Sequence, residues 1–178
     1  MQKKYIKIVS TVTLLLFLFP VLSFAAVKLV GYENKNFSFK MLAPSGWKKT
    51  EQNYFLSKSG HFENIVTFKC PSRGACISLT ADISETKKLD DVVYAFEAKA
   101  RLLSDYKKIK DKKFSDRYIV EYSTRAKGKS QPYYIVKAFI LRDRKPNLFT
   151  LEFTAKDVKD YKYNRKMLTK IVESFKSL

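Results

Sequence analysis

Apolar and polar positions alternate with two periods along the chain. Phe37, Phe39 and Met41 alternate with Ser38 and Lys40, as in a strand with one buried face. Pro44 and Gly46 punctuate the turn that follows, and Trp47 re-enters an apolar layer. A short strand is predicted at Tyr54, Phe55 and Leu56, and the polar loop 57–61 then leads into two β-prone runs, 64–68 and 77–80. Four more strands are predicted at 108–114, 118–122, 133–141 and 148–153, with turns at 126–130 and 142–147. Runs such as "YYIVKAFIL" are apolar on both faces, so the sheet is expected to be covered on both sides. The second period is helical. Val92, Val93, Phe96, Ala100 and Leu103 follow an acidic start at Asp90 or Asp91. Val158, Tyr161, Leu168, Ile171, Val172 and Phe175 form a C-terminal stripe, with Lys166, Lys170 and Lys176 toward the end that a helix dipole favours for cations. No internal repeat or linker interrupts the pattern, which reads as one domain.

The first residues break it. Lys3, Lys4 and Lys7 precede an apolar run from Val12 to Leu22, and Ser23-Phe24-Ala25 ends in small residues before Ala26. Residues 1–25 are therefore expected to be a cleaved signal peptide, leaving residues 26–178 as the mature domain in the periplasm or secreted. The alternative is an uncleaved inner-membrane anchor, since residues 8–27 approach the length of a membrane span. The first cysteine is Cys70, far from that junction, which excludes a lipoprotein anchor.

Export gives the two cysteines a meaning. Cys70 and Cys76 flank "PSRGA", whose Pro and Gly favour a reversal between two β-prone runs. A structural disulfide stapling that hairpin is expected. A redox motif would need closer spacing, and a zinc site needs about four ligands where the chain has a single histidine, His61.

Net charge then changes the picture. The chain carries +18, and removal of the leader takes three lysines and no acid, leaving +15. Such an excess suggests an anionic partner, although lysine is also simply a solubilising surface residue. Lys108, Lys110 and Lys112 fall at strand spacing and are expected to project from one face. Lys127 and Lys129 in the next turn are candidates to extend this anion-binding patch, and Arg142, Arg144 and Lys145 form another basic turn. The bland alternative is a solvated edge strand protected from aggregation by its lysines.

Catalytic patterns are sparse. A Ser-His-acid triad would have to use His61, placed in a loop, and no nucleophile-elbow motif accompanies it. Asp90-Asp91 diverge in direction on a helix and suit a cap better than an acid/base pair. No P-loop, dinucleotide-binding glycine pattern or EF-hand loop is present. The tyrosines at 133, 134, 161 and 163 read as core residues first, and Asn36 opens a chance glycosylation sequon.

Taken in order, "FSFKMLAPSGW", a middle helix, a β-meander and the closing "LFTLEFTAKDVKDYKYNRKMLTKIVESFKSL" resemble the Mog1/PsbP-like superfamily, in particular its exported bacterial PsbP-like and DcrB-like branch. The resemblance covers nearly the whole of residues 37–178. It implies an α+β fold, an antiparallel β-sheet sandwiched between α-helices. It also implies a binding or assembly factor rather than an enzyme, with no cofactor and no catalytic motif to carry over. The expected function is thus an exported accessory protein of the cell envelope that recognises a partner through its surface. The alternative is a basic-surface binder of anionic membrane or acidic polysaccharide, and a cryptic hydrolase is remote. Nucleic acid is disfavoured as a partner, because no nucleic-acid motif appears.

Overall fold

Alternating runs become strands and three-to-four runs become helices, in the order the sequence predicts. The computed structural model describes residues 27–51, 61–125 and 130–178, with backbone only at 61–64. The elements are β1 (Leu29–Asn34), β2 (Phe39–Pro44), β3 (Lys48–Glu51), β4 (His61–Lys69), β5 (Cys76–Asp82), α1 (Leu89–Ala100), β6 (Lys107–Lys113), β7 (Arg117–Thr124), β8 (Tyr133–Leu141), β9 (Leu148–Ala155), α2 (Val158–Ser174) and β10 (Lys176–Ser177). A large sheet has the order β3-β4-β5-β9-β8-β7-β6, and a small one the order β1-β2-β10. Every described pairing is antiparallel. Among the described residues no helix is long and apolar enough to cross a membrane.

Several details differ from the sequence reading. β1 ("LVGYEN") and β3 ("KKTE") were not expected, because neither alternates; β3 is exposed throughout. The strand expected at 54–56 lies outside the described residues. His61 belongs to β4 rather than to a loop. The N-cap of α1 is Lys88, with no side-chain cap bond, so the aspartates sit in the first turn instead of capping. There Asp91 accepts a hydrogen bond from the Thr86 hydroxyl at 2.7 Å. α2 is capped as a helix should be: the Asp157 carboxylate accepts from the Asp160 amide at 2.8 Å. No cation occupies the last turn of α2, and Lys176 lies beyond it in β10.

The large sheet is covered on both faces, but unevenly. On one face lies the main core. Phe39 and Met41 of β2 pack there with Ile65, Val66 and Phe68 of β4 and Ile77 and Leu79 of β5, while Leu168, Ile171 and Val172 of α2 meet Val136, Ala138, Leu151 and Phe153. Phe39 stacks on Phe175, with ring centroids 5.2 Å apart, which ties the small sheet to the end of α2. On the other face α1 packs Leu89 and Val92 against Tyr118, Val120 and Tyr122 of β7 and Phe139 of β8. Beyond α1 no described element covers that face, and β5 and β9 show the clean buried/half-buried alternation of one-sided strands.

This division creates a cleft. A helix about 10 Å across covers roughly two strands spaced about 4.8 Å apart. The small sheet and α2 together cover the main-core face from β4 to β8. The outer strands β7 and β6 extend past α2 and form with it an open trough.

Candidate functional site

The trough is lined by Lys110, Asp111, Lys112, Ile119 and Glu121 from the sheet and by Lys162, Arg165, Lys166 and Thr169 from α2, and encloses about 420 Å³; the Asp111 carboxylate is engaged by Lys108 and the Tyr118 hydroxyl. Which β6 lysines reach it is decided by a β-bulge. The register runs Lys108 opposite Tyr122, then Lys110 opposite Glu121 and Lys112 opposite Ile119, so Ile109 is the extra residue. Tyr122 faces α1, whereas Ile119 belongs to the main core. The expectation that Lys108, Lys110 and Lys112 share one face is therefore corrected: the bulge turns Lys108 to the α1 face and leaves Lys110 and Lys112 on the α2 face. Lys127 and Lys129 lie outside the described residues.

The two faces of β6 differ in electrostatics. On the α1 side the cations are paired. Lys108 lies 2.9 Å from the Glu97 carboxylate and 3.6 Å from Asp111, and Lys113 pairs with Asp90. The Glu97 hydrogen bond first, and Asp111 after it, push the Lys108 pKa up. On the α2 side Lys110, Lys112, Lys162 and Lys166 make no ion pair among the described residues. The Lys112 ammonium lies 4.3 Å from the centroid of the Phe114 ring.

Glu121 organises the inner wall. It is 7% exposed. Its carboxylate accepts a hydrogen bond from the Tyr161 hydroxyl and pairs with Arg165 Nε at 2.7 Å. A buried carboxylate with two such partners is held in place, and it fixes the guanidinium in turn. Tyr161 is itself locked, stacked on Tyr134 at 5.3 Å. Arg165 thus stands in a set position among four lysines that make no ion pair among the described residues.

The other basic segment is spent on the fold. Arg142 donates to the carbonyls of Pro146 (2.7 Å), Ser38 (2.9 Å) and Phe37 (3.0 Å), and its guanidinium lies over Phe149 at 4.4 Å. Burial pushes its pKa down. Arg144 donates to the Leu178 carbonyl at 2.8 Å.

The expected Cys70–Cys76 disulfide is also corrected. Both cysteines are free thiols. Cys76 is the cross-strand partner of Lys69, and the Cys70 amide bonds the Ala75 carbonyl at 3.0 Å. Cys70 therefore shares the main-core face with Ala75 and packs against it. Cys76 alternates with the core residues Ile77 and Leu79, so it points to the opposite face. There burial pushes its thiol pKa up, Lys69 opposing. The loop is pinned instead by Arg73, whose guanidinium lies 2.8 Å from Asp160 and 4.5 Å from the Tyr163 ring centroid on α2.

Sequence reasoning missed Lys162, Arg165 and Glu121, and noted Lys166 only as a helix-end charge. The i, i+4 spacing of Lys162 and Lys166 was a usable signal for one helix face. Their convergence with β6 depends on where α2 crosses the sheet.

In sequence, no protein-family model and no curated protein matches the chain. In structure, the chain is similar to the Ran-binding protein Mog1p of Saccharomyces cerevisiae, at TM-score 0.57 and 9% identity over 85% of this chain and 96% of that one. It is similar to the cyanobacterial PsbP of Synechocystis at TM-score 0.56 and 15% identity, over 90% of this chain and 99% of that one. LpqN of Mycobacterium tuberculosis, involved in cell envelope biogenesis, superposes at TM-score 0.51 and 10% identity over 84% and 90% of the two chains. The chain has the Mog1/PsbP-like fold.

Proposed function

We propose that the protein is an exported, non-enzymatic binding protein of the cell envelope that holds an anionic partner in the trough between β6 and α2. One observation carries this reading: four lysines from two elements, unpaired among the described residues, converge with Arg165 on one concave surface. Placing like charges together raises the energy of the folded protein unless an anion neutralises them. The buried carboxylate of the site, Glu121, is engaged by Tyr161 and Arg165, which suits holding a partner rather than converting one. The sequence of the leader supports export, and LpqN offers an envelope-related protein of the same fold.

The test is recovery from the envelope fraction of the producing cell. The recovered form is expected to begin at Ala26 and to be released by raising salt, because exposed charge pairing is screened within about 8 Å at physiological ionic strength. The combined change Lys110→Ala, Lys112→Ala, Lys162→Ala, Lys166→Ala is expected to abolish retention with no fall in the thermal melt, since it relieves repulsion between like charges. Retention that ignores both salt and these substitutions overturns the reading.

A further inference from the structure

Resting on the reading of the trough as an anion site, we infer that its occupant is a linear phosphodiester polymer built on sugar or polyol units. Lys110 and Lys112 are two residues apart on one strand face, hence about 6.6 Å apart along it. Lys162 and Lys166 are four residues apart on α2, hence about 6 Å apart along its axis. The two walls thus present cations with nearly the same repeat. A lone anion would leave most of them unneutralised. A chain with charges recurring at about that interval would meet one pair after another. A flat charged surface, by contrast, would reach the rims but not Arg165, which the buried Glu121 holds against the inner wall.

The ligand chemistry follows from having cations on two facing walls. A phosphodiester carries two free oxygens that diverge tetrahedrally, so one unit accepts from a β6 lysine and an α2 cation together. The carboxylates of an acidic polysaccharide are pendant groups on one side of each sugar ring, so each is presented to one wall, whereas a phosphodiester carries its charge in the chain itself. The residues lining the trough include no aromatic ring among those described, so nucleic-acid bases find no stacking platform there. Polyol or sugar units need none, and the Thr169 hydroxyl, which donates to the Arg165 carbonyl, can accept from them.

The experiment uses the mature protein and glycerol-phosphate oligomers of increasing length, titrated by calorimetry. Glycerol-3-phosphate, polygalacturonate, single-stranded DNA and phosphatidylglycerol vesicles are the comparison probes. Affinity is expected to rise with oligomer length and then level off once the cations are matched. Lys110→Ala and Lys166→Ala are each expected to weaken long-oligomer binding by roughly fivefold, the scale of one lysine near an anionic surface. Each should also flatten its salt dependence, and Lys110→Arg should restore most of the loss. Equal affinity for the single unit and the long oligomer overturns the inference, as does tighter binding of polygalacturonate or DNA. Binding to the vesicles but to no soluble oligomer overturns the polymer while leaving an anionic partner standing. Binding to none of these probes removes both.

Discussion

At the residue scale, strand parity decides what the two cysteines do. An antiparallel hairpin closed by Cys70 and Ala75 puts Cys76 one step past its would-be partner, and one step reverses the face. Forming the disulfide would require slipping β4 against β5, which would turn either Phe68 of β4 or Ile77 and Leu79 of β5 out of the core. Protein never exposed to reductant is therefore expected to show both thiols by alkylation, with an intact mass that reductant leaves unchanged. Cys76 should react slowly near neutral pH and faster as pH rises, because burial keeps it a thiol. A mass gain of about two hydrogens on reduction would mean that the register is wrong. The sequence displayed the Pro/Gly loop plainly. What it did not display was whether the closing pair is 70 with 75 or 70 with 76, since a loop of either length is sterically sound.

At the element scale, one inserted residue in β6 sorts its lysines between two jobs. Ile109 is 43% exposed, an apolar side chain extruded from an otherwise basic run. In retrospect it is the only mark of the bulge in "KKIKDKK", a string that reads equally well as unbroken alternation. The consequence is testable by comparing neighbours. Lys108→Ala removes a half-exposed contact to Glu97 and is expected to cost no more than about 0.5 kcal/mol of stability, leaving anion binding as it was. Lys110→Ala is expected to do the reverse: it weakens binding and leaves the melt in place. Equal effects of the two on binding would show that they share a face. The helices were legible from their stripes because burial repeats every three to four residues. The trough was not, since it is made of polar residues whose meeting depends on α2 stopping short of β6.

At the scale of the whole molecule, the succession of the main strands and helices and the two-sided cover followed from apolar patterning, while the order of strands within the sheet did not, and the charge only announced that something anionic would be welcome. The same aromatic richness that builds both cores also sets how the protein responds to alkali. Burial, the largest cause in each case, pushes the phenol pKa of Tyr32, Tyr118, Tyr122 and Tyr161 above the usual tyrosine range. Tyr118 and Tyr161 also donate to carboxylates, Asp111 and Glu121, which disfavour a phenolate further. The folded protein thus keeps protons that the unfolded chain releases above pH about 10. A pKa raised on folding contributes stability that is complete below the unfolded value and is lost as pH rises through and beyond it. The melting temperature is expected to fall steeply above pH 10, with phenolate absorbance of these buried rings appearing together with unfolding rather than ahead of it. Alkali acts on groups other than the tyrosines as well, so the tyrosines must be separated by substitution. Tyr122→Phe keeps the ring, which makes no hydrogen bond that Phe would lose among those described, and removes the ionisation. It should therefore leave the melt near neutral pH almost unchanged and make the alkaline fall shallower. If Tyr122→Phe follows the wild-type curve throughout, and buried phenolates titrate smoothly in the folded protein, burial of the tyrosines is not what limits stability in alkali.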